Sequence, residues 1–368
     1  ALETADLSTH DAPVEAARAA ILEGAREPFD LAAGPPFRAR LLRLADDDHV
    51  LLFVVHHAVF DGWSMAVLTR DLAALYGALA KDEPSPLTKP KLRYADFAAW
   101  QRAGFSGPRR EGLLKSWRQL LEGLRPTPLP ADRARPHIPS LSGGTVRRLV
   151  PAPVMAAARA LGAEENATLY MTCLACFHLL LGRLGGVEDV ATGCLVNGRT
   201  TEGTQDLVGL FFNPIVMRTD LSGDPSVRAL VSRVRCQAVA ALAHQDMPIG
   251  ELVQALGLSP GAGDSPAAPV NVLFQMRNFP PPRADAAGVR FRAFKTESGM
   301  ARFDLTFDLE EGDDGLSCVL AFNRDLFDGA TCERLLADFA ATLEAMVAKP
   351  DAPVSALSLP PLRARGGA

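Results

Sequence analysis

The sequence holds little with which to bind a polyanion, cross a membrane or build a metal centre. Its formal net charge is −5, and its only run of three like charges is Asp46–Asp48, so nothing attracts nucleic acid or an anionic lipid surface. No apolar stretch approaches the roughly 18–20 residues that span a bilayer. The opening residues ALETADLSTHD lack both a basic flank and an apolar segment, so no leader is read there and a cytoplasmic protein is expected. Cysteine is scarce, six in 368 residues, which excludes a disulfide scaffold, and no pair of Cys-X-X-Cys motifs offers a zinc site. The single Cys-X-X-Cys, Cys173 and Cys176, lies in the apolar helical stretch TLYMTCLACFHLLLG, where small buried side chains are expected rather than redox chemistry. There is no internal repeat of fixed period.

What is present is an ordinary enzyme composition, 48% apolar and 22% charged, over a length of 368 residues. A single hydrophobic core stops growing below that size, so two core-bearing lobes are expected. Helical spacing of apolar residues appears at 14–26, 94–104, 111–124, 153–161, 168–183 and 331–348, and Asp224-Pro225 reads as the start of a helix reaching about Ala243. Strand patterns appear at 37–44, 187–195, 211–219, 270–276, 289–296, 303–310 and 316–323, the last two joined at an Asp-Asp-Gly turn. Residues 125–144 hold five prolines and two adjacent glycines, the best candidate crossover between lobes. The mixture of strands and helices in both halves implies an α/β (α+β sandwich) fold of two related lobes. The division expected is 1–135, 136–350 and a linker at 351–368.

Seven histidines scattered over this length give about 0.1 adjacent pairs by chance, yet His56 and His57 adjoin in HHAVFDG. They lie in the apolar run LLFVVHHAVF, expected to be a strand buried on both faces, and precede SMAVLTRDLAALYGALA, expected to be a helix with Ser64 capping its first turn. Neighbours on a strand point to opposite faces, so the two rings are not expected to share a metal ion. His57, nearer the strand end, is expected in an open cleft, with His56 in a supporting position. A neutral imidazole suits removal of a proton from an attacking amine or hydroxyl near pH 7. Asp61 could order the turn by pairing with an arginine, and Gly62 would allow a backbone shape that other residues resist. The first backbone N–H groups of the following helix would favour negative charge developing on a carbonyl oxygen. A satisfied core histidine pair beside an ordinary Asp-Gly turn is the bland alternative.

Further segments accompany this one in a fixed order: VHHAVFDGWS at 55–64, YADFAAW at 94–100, VGLFFNPIVMR at 208–218 and HQDMPIGEL at 244–252, with the weaker DSPAAPVNVLFQM at 264–276. With them the chain resembles, over almost its whole length, the condensation domains of nonribosomal peptide synthetases, in the chloramphenicol acetyltransferase-like superfamily. The resemblance implies a V-shaped pseudo-dimer of two acetyltransferase-like lobes with the active site in a tunnel between them. Donor and acceptor carrier-protein domains would present substrates on 4′-phosphopantetheine arms, with no cofactor bound to this chain itself and an adenylation domain as neighbour. The acceptor amine would attack the donor thioester, forming an amide bond. The resemblance makes His57, the second histidine, the group beside the reacting amine, as general base or as positioning partner. His56, Asp61 and Gly62 complete the catalytic motif, with Asp61 a structural anchor salt-bridged to arginine. Trp63, Ser64, Asn213 and Arg199 fall on the substrate side, Asn213 across the cleft from His57. Arg199 also competes with other arginines as the partner of Asp61. Tyr94, Asp96 and Trp100 are expected to pack between lobes, and His244 and Asp246 to serve as helix caps.

The match has gaps. The family's early Ser-x-Ala-Gln-x-Arg signature and its His-Glu-x-Leu-Arg stretch are absent, so the chain is expected to begin some way into the first lobe, without an arginine partner for Asp61 from that stretch. Pro214 stands where Thr is usual, and Phe60 where Ser is frequent. No aspartate-rich signature of cyclising relatives is seen, which argues against thiazoline or oxazoline formation. Two other readings compete: a related acyltransferase that uses acyl-coenzyme A or a carrier-bound acyl group with a small alcohol or amine, and a non-catalytic platform that recruits a tailoring enzyme. Relatives of the latter kind tend to lose the second histidine or the glycine, and both are intact here.

Overall fold

A computed structural model describes residues 2–256, 270–277, 284–294 and 299–360. The chain runs β1 (Glu3–Asp6), α1 (Pro13–Arg26), β2 (Phe37–Arg43), β3 (His49–Val55), a 3₁₀ turn (His57–Val59), α2 (Gly62–Leu79), α3 (Tyr94–Gly104), α4 (Gly107–Leu121), β4 (Gly143–Pro151), α5 (Ala152–Glu164), α6 (Leu169–Gly185) and β5 (Asp189–Val196). It continues through β6 (Asn213–Asp220), α7 (Val227–Ala243), α8 (Ile249–Ala255), β7 (Val272–Arg277), β8 (Ala284–Ala286), β9 (Val289–Phe291), β10 (Leu305–Gly312), β11 (Gly315–Asn323) and α9 (Gly329–Ala348). The mixed α/β class expected from the sequence is observed.

Two compact units result, and they are not contiguous. The first comprises Ala1–Ala103, Arg199–Phe212 and Phe279–Ser298; the second Gly104–Gly198, Asn213–Asn278 and Gly299–Ala368. These differ from the expected segments 1–135 and 136–350. The proline-rich stretch 125–144 is not a crossover between units but part of the second, where the Thr127 hydroxyl exchanges hydrogen bonds with the backbone of Ala191 (2.9 and 3.0 Å) and Asp132 N–H donates to Leu326 O (2.9 Å). The expected linker also departs from the structure up to residue 360. Val354 N–H donates to Pro225 O (2.9 Å), Arg228 pairs with Asp351 (2.8 Å) and Leu357 is buried. Asp224, expected as a helix cap, instead accepts from Ser355 N–H (2.9 Å), while Ser226 caps α7 through Ala229 N–H (3.2 Å).

In the first unit β1 pairs parallel to β2 and β2 antiparallel to β3. Leu42 and Val50 on these strands, with Leu44 just past the end of β2, meet Ala17 and Ile21 of α1 in a small core. The short β8–β9 hairpin lies on α2, with Phe291 6.0 Å from the Tyr76 ring.

In the second unit six strands run in the order β4-β11-β10-β7-β5-β6. Leu305, Phe307 and Leu309 alternate along β10 into a core where Phe177, Phe274, Phe307 and Phe339 interlock at centroid distances of 4.7 to 6.3 Å, a range favourable for edge and offset contacts. Helix α6 is buried nearly all round, which explains its unbroken apolar sequence. Cys173 and Cys176 lie on it as buried free thiols, and desolvation raises both far above their ordinary pKa. Among the described residues no single helix is long and apolar enough to cross a membrane, and no group of three His, Cys, Asp or Glu could hold a metal ion.

Candidate functional site

The strand that leads to the histidine pair ends at Val55, one residue before the pair, because the chain turns there. His56 is extended (φ −66°, ψ 132°), its N–H donates to Pro36 O (2.9 Å), and its Nδ1 accepts from Ala58 N–H (3.1 Å). The rings are therefore parted by a 3₁₀ turn rather than by the alternation of a strand. Phe29 meets the half-buried His56 edge-on at 6.0 Å.

His57 is exposed, and its Nδ1 lies 2.6 Å from the carbonyl oxygen of Phe60. A carbonyl can only accept, so Nδ1 carries a proton, and in the neutral imidazole Nε2 then holds the lone pair. Nε2 has no protein partner among the described residues. A neutral imidazole held in this tautomer is a proton acceptor with a fixed direction.

Four residues on, the chemistry reverses. Asp61 is only 2% exposed and caps α2, accepting from Ser64 N–H (2.8 Å) through Oδ1. The cap is thus Asp61 and not Ser64, which sits inside the first turn. The same carboxylate receives Arg199 Nη2 at 2.9 and 3.1 Å, the Phe211 N–H at 3.0 Å, and lies 2.7 Å from the Ser64 hydroxyl. Arg199 donates through Nη1 to Thr204 O (2.7 Å) and Leu207 O (2.9 Å). Its guanidinium stands 3.9 Å over the Phe211 ring centroid, a cation–π contact, and its Nε is buried without a hydrogen-bond partner. Burial lowers the pKa of this guanidinium and the facing Asp61 opposes the fall. Both side chains of the pair have 0% exposure.

Several expectations are corrected by this arrangement. Arg199 and Ser64 have no surface to offer a substrate; they lock residues 199–211 onto the start of α2, where Gly209 N–H also donates to Ser64 Oγ (3.0 Å). Trp63 directs its indole N–H into the carbonyl of Gln205 (2.8 Å). Gly62 is the first residue of a right-handed helix and needs no backbone freedom special to glycine. At the start of α2 the Ser64 N–H is already taken by Asp61. Tyr94 packs inside the first unit, its hydroxyl donating to Leu210 O (2.7 Å) and its ring 5.1 Å from Phe211. Asp96 binds Arg93, and the exposed Trp100 meets Phe97 at 5.8 Å.

Asn213, expected on the substrate side, has its amide engaged within the second unit. Nδ2 donates to Gln245 O (2.8 Å) and Met247 O (2.6 Å), and Oδ1 accepts from Ile249 N–H (3.0 Å). Segment 244–251 is held further by Trp117 Nε1 to His244 O (3.0 Å), Arg109 to Asp246 (2.8 Å) and Arg110 to Glu251 (2.9 Å). His244 does end α7, but Asp246 is an ion-pair partner rather than a cap.

The residues that sequence reasoning missed are Gly209 and Phe211. A Cβ at Gly209 would collide with the Tyr94 ring, so glycine permits the approach that seats this loop. The adjoining run VGLFF held the signal, although spacing alone could not say what it touched. Of the DSPAAPVNVLFQM segment, residues 264–269 lie outside the described residues, and Val272–Met276 belong to strand β7, buried from Val272 to Phe274.

The family model for the condensation domain matches residues 1–365. The chain belongs to the condensation domain family of nonribosomal peptide synthetases, whose reaction is an acyl transfer that forms an amide bond. It is 39% identical over 348 residues to a linear gramicidin synthase polypeptide of Brevibacillus parabrevis, covering 94% of this chain and 7% of that protein. To chondramide synthase cmdD of Chondromyces crocatus it is 37% identical over 356 residues, covering 96% of this chain and 9% of that one. The chain therefore spans less than a tenth of either relative's length. Among solved structures, the X-domain from teicoplanin biosynthesis superposes with a TM-score of 0.87 at 29% identity, over 98% of this chain and 81% of that one. The first condensation domain of the calcium-dependent antibiotic synthetase gives 0.77 at 23% identity, over 98% and 80%, and so supports the fold alone.

Proposed function

We propose that this chain joins two carrier-bound substrates: the amine of an aminoacyl acceptor attacks the thioester of a donor acyl or peptidyl group. The observation that carries this reading is the Nδ1–H bond from His57 to Phe60 O, which leaves a lone pair at Nε2 on an exposed ring. In this reading the amine nitrogen bonds to the thioester carbon and gives its proton to His57 Nε2, the C–S bond breaks, and the departing thiolate recovers the proton. The 4′-phosphopantetheine arms belong to the substrates, brought by donor and acceptor carrier domains in a synthetase that also holds an adenylation domain. Each of the two units would be an acetyltransferase-like lobe, and the protein would act in the cytoplasm. Asp61 and Arg199 hold the loop and helix that flank the histidine turn and do not touch substrate.

A second reading has one observation in its favour. A structure similar to this chain at a TM-score of 0.85 and 30% identity is an X-domain in complex with OxyB from teicoplanin biosynthesis. A recruiting platform needs no proton acceptor, whereas His57 and Gly62 are both intact. One carrier domain loaded with a donor thioester and another with an amino acid are mixed with the chain, and the acceptor's intact mass is followed. A condensed product that disappears in His57→Ala supports the enzyme. Carrier binding without product from the unaltered chain supports the platform.

A further inference from the structure

A second layer stands behind the histidine turn in the first unit. Phe29, in the loop after α1, lies between two groups: the His56 ring at 6.0 Å with an interplanar angle of 87°, and the Arg38 guanidinium 4.0 Å from the ring centroid. Both distances fall within the range of attraction for their kind of contact. Arg38 is on β2 directly opposite Val54, so the ladder to β3 fixes its position against the strand that feeds the turn. Its head is tied to Glu27, Nη1 to Oε1 at 2.6 Å and Nη2 to the carbonyl at 2.5 Å. Its Nε is buried with no hydrogen-bond partner.

The stack bears on His57 through one intermediate. The His56 ring, whose edge-on contact is Phe29, uses its Nδ1 to accept from Ala58 N–H, and its carbonyl accepts from Val59 N–H (3.1 Å). Those two bonds shape the 3₁₀ turn, and the turn brings Phe60 O to within 2.6 Å of His57 Nδ1. We infer that Phe29, clamped between Arg38 and His56, is a positioning residue that keeps the turn in the form that holds the proton on His57 Nδ1 and the lone pair on Nε2. The inference rests on the reading of His57 as the proton acceptor, and it goes beyond that reading by assigning the group that sets its tautomer.

The test uses the 368-residue chain labelled with ¹⁵N-histidine, together with the two-carrier assay. In the unaltered chain the His57 ring nitrogens report a protonated Nδ1. Phe29→Leu keeps apolar bulk without a π face; it is expected to shift His57 toward the Nε2–H form that a free histidine side chain prefers. It should also lower kcat about 10- to 100-fold, with KM changed by less than about 3-fold. Phe29→Tyr keeps the ring and should restore both readouts. Phe29→Ala is expected to exceed Phe29→Leu, and the Leu variant decides if the Ala variant does not fold. A Phe29→Leu protein with its tautomer unchanged overturns the inference, whatever its rate. A shifted tautomer with an unchanged rate supports Phe29 as the group that sets it and overturns the reading of His57 as the proton acceptor. If the unaltered chain forms no amide at all, the proposed function fails, while the nitrogen shifts still decide whether Phe29 sets the tautomer.

Discussion

Two histidines in this protein make opposite use of the same side chain. His57 is exposed, with one ring nitrogen held by a backbone carbonyl and the other without a protein partner among the described residues. His178, on α6, has 0% exposure, its Nδ1 2.7 Å from Thr219 Oγ1 and its Nε2 2.9 Å from Thr192 Oγ1. Burial pushes its pKa down to about 3, so it stays neutral at any physiological pH. A histidine with both nitrogens occupied bridges β5 and β6, whereas one with a single nitrogen occupied can exchange a proton. The difference lies in the neighbours and not in the residue.

Replacing each in turn should separate chemistry from stability. His57→Ala is expected to reduce product formation by about 10²- to 10⁴-fold, the range for loss of a general base, while the thermal midpoint stays within a degree or two of the unaltered chain. A large drop in the midpoint would place His57 with the structural histidine and sink the contrast.

Asp61 sharpens the contrast from the buried side. Asp61→Ala leaves Arg199 charged and unpaired at 0% exposure, a loss of about 3–5 kcal/mol by analogy with other broken buried pairs. Urea unfolding measures it. Asp61→Ala combined with Arg199→Met should recover a substantial part of that loss, since the uncompensated charge is then gone.

The pH dependence of stability tests His178 directly. Its folded pKa lies below the unfolded value of about 6.5, so the unfolded chain takes up the proton first as acid is added. The stabilisation is whole above pH 6.5 and is lost as pH falls toward about 3, by up to about 1.4 kcal/mol per pH unit. Urea midpoints between pH 7 and 4 should fall more steeply for the unaltered chain than for His178→Gln. Equal slopes would mean that the buried imidazole is not the group that titrates.

Asn213→Ala should cost less stability than Asp61→Ala, about 1–3 kcal/mol for the unpaired backbone groups it leaves behind. Amide exchange should accelerate at Ile249, whose N–H loses its acceptor, before it does in β5. Unchanged exchange there would show that the ion pairs at Asp246 and Glu251 suffice to hold the segment.

Much of the architecture was legible because its causes are local. The helices at 94–104, 168–183 and 331–348 are seen close to where apolar spacing places them, and the β10–β11 hairpin turns at Asp313-Asp314 as the Asp-Asp-Gly signal indicates. Other elements were hidden by their own composition. Strand β4 begins at Gly143-Gly144, which in sequence resembles a turn. A Cβ at Gly144 would collide with the Phe322 ring, so glycine serves close packing within a strand. Strand β1 has only four residues and pairs with β2 thirty-seven positions away, and no local pattern announces such a partner.

The same division runs through the site. Sequence alone determined that a histidine pair stands where an apolar strand gives way to a helix, that an Asp-Gly step opens that helix, and that the ordered segments belong to the condensation domain family. Each of these rests on residue type and spacing along the chain. Only the tertiary structure decided that Asp61 rather than Ser64 caps the helix, that Arg199 completes the buried pair, that Asn213 binds its own unit, and which nitrogen of His57 bears the proton. Those outcomes depend on carbonyls, N–H groups and ring faces brought within about 3–4 Å by residues far apart in sequence, and geometry of that kind leaves no periodic trace.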